Sequence, residues 1–317
     1  MSVPDVVEEG EVGNVEETSA RNLFNMANFA DDEPEINITQ TRADHIPDLS
    51  RFTSLEGLVM RSNLLKEISP SISNVVALTE LDLYENQITK IEWLQNLVNL
   101  EKLDLSYNRI TKIEGLENLT KLDTLYLVHN KIKVIEGLST LIDLEILELG
   151  DNEIRKIENL ENLRKIRRLY LGKNKIRQIE GIAHMTELNI LSVPGNRLVK
   201  VENVQTMTKL KEIHLSDQGI DDLSGVSALK NLEVVDVGNN QLKELSGIES
   251  LTELTDFWAN DNKIENWKEI EKLKDLANLE TVYFERNPIY HSDMTGYRRK
   301  VKLALPQVSQ IDATFVK

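Results

Sequence analysis

A chain of 317 residues, 40% of them hydrophobic, is long enough for one large domain or two ordinary ones around a substantial core. Its formal charge of −16 and isoelectric point near 4.9 argue against a binder of phosphate backbones, which needs a clustered basic face, and favour a basic protein surface as partner. It contains no cysteine, which excludes disulfides, thiolate metal sites and a cysteine nucleophile.

The first stretch, MSVPDVVEEGEVGNVEE, lacks the basic start and apolar run of a secretory signal, and no later stretch approaches the ~18 apolar residues of a membrane helix. The expectation is an intracellular protein with no membrane partner, in which the sequons at Asn37 and Asn118 are chance matches. Residues 1–33 hold nine acids and one arginine, a composition expected to leave them mostly disordered.

From residue 34 a repeat takes over. EPEINITQTRADHI opens a degenerate first copy, 34–54, and eleven clear copies follow, among them LDLYENQI, LDLSYNRI, LYLVHNKI, LELGDNEI and LYLGKNKI. Their first apolar residues run Leu55, Leu78, Leu100, Leu122, Leu144, Ile166, Leu188, Leu210, Leu232, Leu254, Leu279. The step is 22 residues, except 23 after the first and 25 before the last.

Each copy has two periods. Apolar residues alternate in the first half (Leu122, Leu125, Leu127), as in a short strand that buries one face. They recur every third residue in the second (Ile88, Ile91, Leu94, Leu97, Leu100), the period of a 3₁₀ coil. A strand followed by a tight return cannot bury both faces alone, so copies must stack. The expected fold is an α/β solenoid over 34–289: a horseshoe with a concave parallel β-sheet and a convex side of mostly 3₁₀ or short-helix returns.

An asparagine recurs at the inward turn of each copy, from Asn63 through Asn86, Asn108 and Asn130 to Asn287. Its amide can satisfy the backbone groups that such a turn strands. Gln218 breaks the series, and looser structure is expected over 216–220. The last copy carries an extra triplet, with Trp267, Ile270, Leu273 and Leu276 as its stripe, and its return reads as a real helix. Residues 290–317 are expected to cap the stack, with Val301, Leu303 and Leu305 packing before a proline stop.

Catalytic chemistry is not visible. Histidines 45, 129, 184, 214 and 291 are scattered, no phosphate-binding loop, nucleophile elbow or kinase signature appears, and carboxylate pairs such as Asp221 with Asp222 read as solvated charges. No metal or cofactor is expected, and the chain reads as a non-enzyme. YRRK, 297–300, reads as one side of a capping helix. KIEW, 90–93, fits the basic, aliphatic, any, aromatic pattern of motifs that dock on the type 1 serine/threonine phosphatase. Its register places Ile91 at a buried position, which argues against that use.

Strand side chains alternate faces, so one residue per copy should point outward on the concave sheet. The column reads Val59, Asp82, Asp104, Tyr126, Glu148, Tyr170, Ser192, His214, Asp236, Trp258, Tyr283. Four of these eleven are aromatic and four acidic, with no Lys or Arg. A strand preference for rings accounts for one or two of them, not for an alternation of acid and ring. Rigid rings supply contact energy at interfaces and interleaved carboxylates select a basic surface, so the column is a candidate protein-binding ridge. Asp256 lies on the same face beside Trp258. Gly150, Gly172 and Gly238, one column later, either let a partner approach or merely end the strands.

The repeat ITKIEGLENLTKLDTLYLVHNKI, the segment YRRKVKLALPQVSQID and the acidic start together resemble the leucine-rich-repeat regulatory subunit 7 family of protein phosphatase type 1, over roughly 34–317. That resemblance implies a grip on the phosphatase catalytic subunit, away from its metal centre, by acid, aromatic, acid and aromatic on four successive repeats. Asp104, Tyr126, Glu148 and Tyr170 fall on those places, and a second group matches Asp236, Asp256, Trp258 and Tyr283. Tyrosine stands where the family often has phenylalanine, and Asp256 where it has glutamate; ring and charge are kept. The resemblance further implies a non-catalytic regulator of the phosphatase's maturation, activity or localisation, monomeric by itself, in nucleus and cytoplasm and active in mitotic chromosome segregation. A ternary complex with a small inhibitor protein is also implied. Ciliary or dynein-associated scaffolds and spliceosomal proteins share the repeat and are the competing readings.

Overall fold

The computed structural model describes residues 25–316, so the acidic stretch 1–24 lies outside the described residues. Of the expected tail, residues 25–33 contain a 3₁₀ turn, Met26–Asn28. Arg51 fastens it, donating from Nη2 to the carbonyls of Met26 and Phe29 at 2.5 and 2.9 Å and pairing with Asp31.

Each repeat contributes a three-residue strand. They are β1 Glu35–Asn37, β2 Gly57–Val59, β3 Glu80–Asp82, β4 Lys102–Asp104, β5 Thr124–Tyr126, β6 Ile146–Glu148, β7 Arg168–Tyr170, β8 Ile190–Ser192, β9 Glu212–His214, β10 Val234–Asp236, β11 Asp256–Trp258 and β12 Thr281–Tyr283. Two short strands follow, β13 Gln310–Ile311 and β14 Thr314–Phe315. All fourteen form one sheet in chain order, parallel except for the antiparallel β13–β14 pair. Because the repeat length is fixed, equivalent residues pair: Leu103 faces Leu125 and Leu125 faces Leu147. These central leucines are fully buried, each worth about 1.5–3 kcal/mol relative to exposure.

The returns obey the three-residue period, but mostly as single turns. Leu97 donates its amide to the Leu94 carbonyl at 2.9 Å and Leu100 to Leu97 at 3.0 Å; Leu119 and Leu122 repeat the pattern. Each apolar residue thus closes an i→i+3 turn on the one before and drops its side chain into the core. Beyond that turn near the N-terminus, continuous 3₁₀ helix occurs among the described residues at Pro70–Asn74, Ser224–Val226 and Ile248–Ser250. The extra triplet of the last repeat lengthens its return into a true helix, α1 Trp267–Glu271, whose first turn is capped by the Asn266 side chain accepting from Lys268 N at 3.0 Å.

The asparagine ladder performs the expected work. Asn108 Oδ1 accepts from Ile88 N at 2.9 Å, while Nδ2 donates to the carbonyls of Leu83, Leu105 and Ser106 at 3.0, 3.1 and 3.2 Å. Gln218, around which looser structure is expected, makes ladder bonds of the same kind. Its Oε1 accepts from Leu198 N at 3.0 Å and its Nε2 donates to the Val193 and Leu215 carbonyls at 3.0 and 3.2 Å. Gln218 is half-buried, as is Asn130, where Asn196 and Asn240 are buried.

Immediately before each ladder residue the chain is left-handed. Glu85, Tyr107, His129, Asp151, Lys173 and their equivalents have φ between 52° and 64°, a conformation that costs a non-glycine residue of order 1 kcal/mol. The ladder bonds on either side hold it there.

Beyond the last repeat strand come α2 Pro288–Ser292 and α3 Tyr297–Ala304. The segment expected to cap the stack packs differently from the sequence reading at one residue. Val301 and Leu305 are fully buried, but Leu303 is 71% exposed. The segment is helical through Ala304, so residues four apart share a face, and Tyr297, Val301 and Leu305 turn inward while Leu303 turns out. Buried Asp312 joins α3 to the final turn, accepting from Phe284 N, Glu285 N and Tyr297 Oη. In the YRRK run, Tyr297 is core and Lys300 pairs with Asp293 at 2.9 Å.

Candidate functional site

The strand register assembles the predicted column. Asp104 pairs with Tyr126, Tyr126 with Glu148 and Glu148 with Tyr170 across β4–β7. Asp236 pairs with Trp258 and Trp258 with Tyr283 across β10–β12. Ser192 and His214 on β8 and β9 bridge the two groups. Asp256, two residues before Trp258, lies on the same face, and its Oδ2 accepts from Thr255 Oγ1 at 2.7 Å. All eight predicted residues therefore share one surface.

The column is not uniformly solvent-facing, as alternation alone required. Asp82 is 1% exposed and Asp104 9%. Asp82 is covered by Arg61, whose Nε and Nη2 reach Oδ2 at 2.5 Å. Asp104 folds back along its strand, Oδ1 accepting from Ser106 N at 2.9 Å. The other seven predicted residues are half-buried. Tyr126 therefore stands as a ring between a sunken carboxylate, Asp104, and a more accessible one, Glu148.

Burial sets the electrostatics of the first group. It pushes the Asp104 carboxyl above the usual carboxylate range, with the hydrogen bond from Ser106 opposing. It pushes Glu148 up as well, with the negative field of Asp104 adding to it, and raises the Tyr170 phenol. Two partly desolvated carboxylates, Asp104 and Glu148, thus flank Tyr126 on one face.

The second group is tied together by polar contacts. Asp236 accepts from Gly238 N at 3.1 Å and from Ser216 Oγ at 2.9 Å. His214 lies between Asp236, 3.9 Å from Nδ1, and Glu212, 3.3 Å from Nε2. Asp236 and Glu212 together raise the imidazole pKa against the effect of burial. The Trp258 ring stands edge-on to Tyr283 at 6.2 Å and tilted to His214 at 6.3 Å, and its buried Nε1 has no hydrogen-bond partner. Gln310 Nε2 donates to Tyr283 Oη at 3.2 Å. An open hollow of about 340 Å³ lies beside Trp258 and Tyr283, with Arg286 on its rim.

Of the three glycines after the strands, Gly172 and Gly238 make room within the protein. A Cβ would lie 3.2 Å from the Pro194 ring at the first and 3.1 Å from Asn260 Oδ1 at the second.

A row of rings on the rim escaped the sequence reading. Arg61 lies over Tyr84 at 5.6 Å, Tyr84 meets Tyr107 at 5.0 Å, Tyr107 stacks on His129 at 4.8 Å, and His129 Nδ1 reaches Asp151 Oδ2 at 2.6 Å. The available signal was the left-handed residue before each ladder asparagine, which throws its side chain outward: Tyr107 and His129 hold it. His214 and Ser216 were also overlooked as parts of the second group.

Among the described residues no three His, Asp or Glu side chains are placed to hold a metal ion, and no helix is long and apolar enough to cross a membrane.

The family signature described as "Leucine Rich repeats (2 copies)" matches in overlapping units over 76–184 and again over 208–250. A segment of 75 residues is 57% identical to "Protein phosphatase 1 regulatory subunit SDS22 homolog" of Caenorhabditis elegans, covering 24% of this chain and 23% of that protein. A segment of 40 residues is 65% identical to "Protein phosphatase 1 regulatory subunit 7" of Homo sapiens, covering 13% and 11%. The matched segments thus span a quarter or less of these curated relatives. Among solved structures, an internalin (InlF) of Listeria monocytogenes superposes with a TM-score of 0.72 at 26% identity, covering 89% of this chain and 87% of that one. Repeat signature and fold alike are those of leucine-rich-repeat proteins, and the curated relatives that match segments of the sequence bear the names of protein phosphatase 1 regulatory subunits.

Proposed function

We propose that this chain is a non-catalytic regulatory subunit that binds the catalytic subunit of protein phosphatase type 1 through its concave face, and so controls that enzyme's maturation, activity or localisation. The observation that carries the reading is the unbroken register of Asp104, Tyr126, Glu148 and Tyr170 on β4–β7, joined to the names of the relatives. Half-buried rings lose little side-chain freedom on contact, and desolvated carboxylates gain most from a cationic neighbour. The same reading extends to a nuclear and cytoplasmic distribution, a role in mitosis, a monomeric free form and a ternary complex with a small inhibitor protein. Residues 34–289 form the binding solenoid and 290–317 its closing cap.

The deciding experiment is affinity capture from a cell extract with the full chain as bait and mass-spectrometric identification of what it retains. The phosphatase catalytic subunit is expected to be recovered by the parent chain and lost with the Tyr126→Ala/Tyr170→Ala double variant, which leaves circular dichroism unchanged. Recovery of dynein or ciliary components in its place, or undiminished capture by the folded double variant, overturns the reading.

A further inference from the structure

KIEW, Lys90–Trp93, is the one motif that the concave face does not absorb. Ile91 is 2% exposed, so the segment cannot be lifted out as an extended docking peptide; Trp93, by contrast, is 41% exposed. Its backbone is left-handed, φ 66°, at the place where other repeats put Gly115, Gly137, Asn159, Gly181, Asn203 or Gly247, all with positive φ. A large ring thus occupies a position for which the repeat otherwise uses glycine or asparagine, and it faces water.

The surroundings are open and acidic. The next repeat carries Gly115 beside the ring, leaving a shallow cavity of about 470 Å³ lined by Ile91, Glu92, Trp93, Glu114 and Glu117, among others. The triplet Lys-Ile-Glu occurs with a closed ion pair at Lys112–Glu114, Lys156–Glu158 and Lys200–Glu202, at 3.0, 3.7 and 2.7 Å. Lys90 and Glu92 form no such pair, and Glu92 has no ion-pair partner among the described residues. Glu117 accepts from Gly115 N at 3.3 Å and adds to the negative field around Lys112.

We infer that Trp93, with Glu92 and the shelf over Gly115, is a docking point for an arginine side chain presented by a partner protein. A planar guanidinium can lie on an indole face while its edge pairs with a carboxylate, which a compact ammonium does less well. The shelf leaves space beside the ring, and the excess of carboxylates over lysine supplies the sign. This site lies within the return between β3 and β4, where Ser73 of the preceding return donates to the Trp93 carbonyl at 2.7 Å, and stands apart from the concave ridge, so it does not depend on the phosphatase reading.

The test uses the full chain and a blocked peptide with one central arginine, compared with the same peptide carrying citrulline, which keeps the shape and removes the charge. The three indole N–H resonances are followed by NMR, and Trp93 is assigned by Trp93→Gly, a substitution the left-handed backbone accepts. A saturable shift of the Trp93 resonance with the arginine peptide and none with citrulline is expected. In Glu92→Gln the apparent Kd should rise about threefold to tenfold, the combined effect of an exposed ion pair and of the ring contact it orients. Equal shifts with both peptides, a shift confined to Trp258 or Trp267, or a Glu92→Gln variant that binds like the parent would each overturn the assignment.

Discussion

His214 and Asp236 face each other on β9 and β10, with the imidazole Nδ1 3.9 Å from a carboxylate oxygen that also receives Ser216 Oγ. With Glu212 on its own strand, Asp236 favours the protonated ring and raises its pKa in the folded chain. A base whose pKa is raised on folding stabilises the folded state fully below its unfolded pKa of ~6.5, and that contribution is lost as pH rises through the folded value.

His214→Gln is therefore expected to lower stability by roughly 1 kcal/mol near pH 5.5, where the charge contact is fully present. The gap should narrow as the medium becomes alkaline. Thermal melts of parent and variant across this range check it; a gap that stays constant with pH assigns the loss to packing against Trp258 alone.

Glu148 has the same pH dependence for the opposite reason, burial of its charge rather than a partner for it. Its raised pKa means that the ionised form is disfavoured on folding, so protonation stabilises the chain as pH falls through the folded value. Glu148→Gln should leave stability unchanged or increase it by up to ~1 kcal/mol. Glu148→Lys should slow association with the phosphatase catalytic subunit and alter its salt dependence. Stopped-flow association rates at two ionic strengths test this, and an unchanged rate removes electrostatic steering from the account.

Trp258 and Tyr283 meet edge-on at 6.2 Å on neighbouring strands. Trp258→Ala is expected to cost about 2 kcal/mol or more of partner affinity, read by titration calorimetry against the purified catalytic subunit. Parent-like affinity in a folded variant would place the contact elsewhere.

The asparagine ladder gives a contrast between neighbouring positions. Asn108→Ala strands Ile88 N and removes a donor from three carbonyls, for an expected loss of about 2–4 kcal/mol. Gln218→Asn restores the ladder residue and should be neutral or mildly stabilising. Urea unfolding of both variants, with hydrogen exchange over 216–220, measures the difference.

At the C-terminal end of α3 the two leucines, Leu303 inside the helix and Leu305 just past it, should part company. Leu305→Ala empties a fully buried site and should cost about 2–5 kcal/mol, whereas Leu303→Ala, on the exposed face, should fall within ~0.5 kcal/mol of the parent. Similar losses at both positions would mean that the segment is not helical through Ala304.

The 22-residue step by itself determined the stack, the parallel register and the identity of the column. A strand's alternation and a fixed repeat length leave no freedom in which residue follows which across the sheet, so Asp104, Tyr126, Glu148 and Tyr170 could be aligned by counting. The ladder was legible too, because a buried turn must satisfy its backbone groups. Only the tertiary structure decided how deep each side chain sits. Asp82 and Asp104 sink because Arg61 and the Ser106 amide lie beside them, contacts between repeats or around a strand end that periodicity does not encode. Leu303 turns outward because a helix replaces the strand-like period, and Tyr107 meets His129 because two left-handed residues one repeat apart aim their rings along the same edge. Sequence period fixes direction; neighbours from other repeats fix burial, and with it charge.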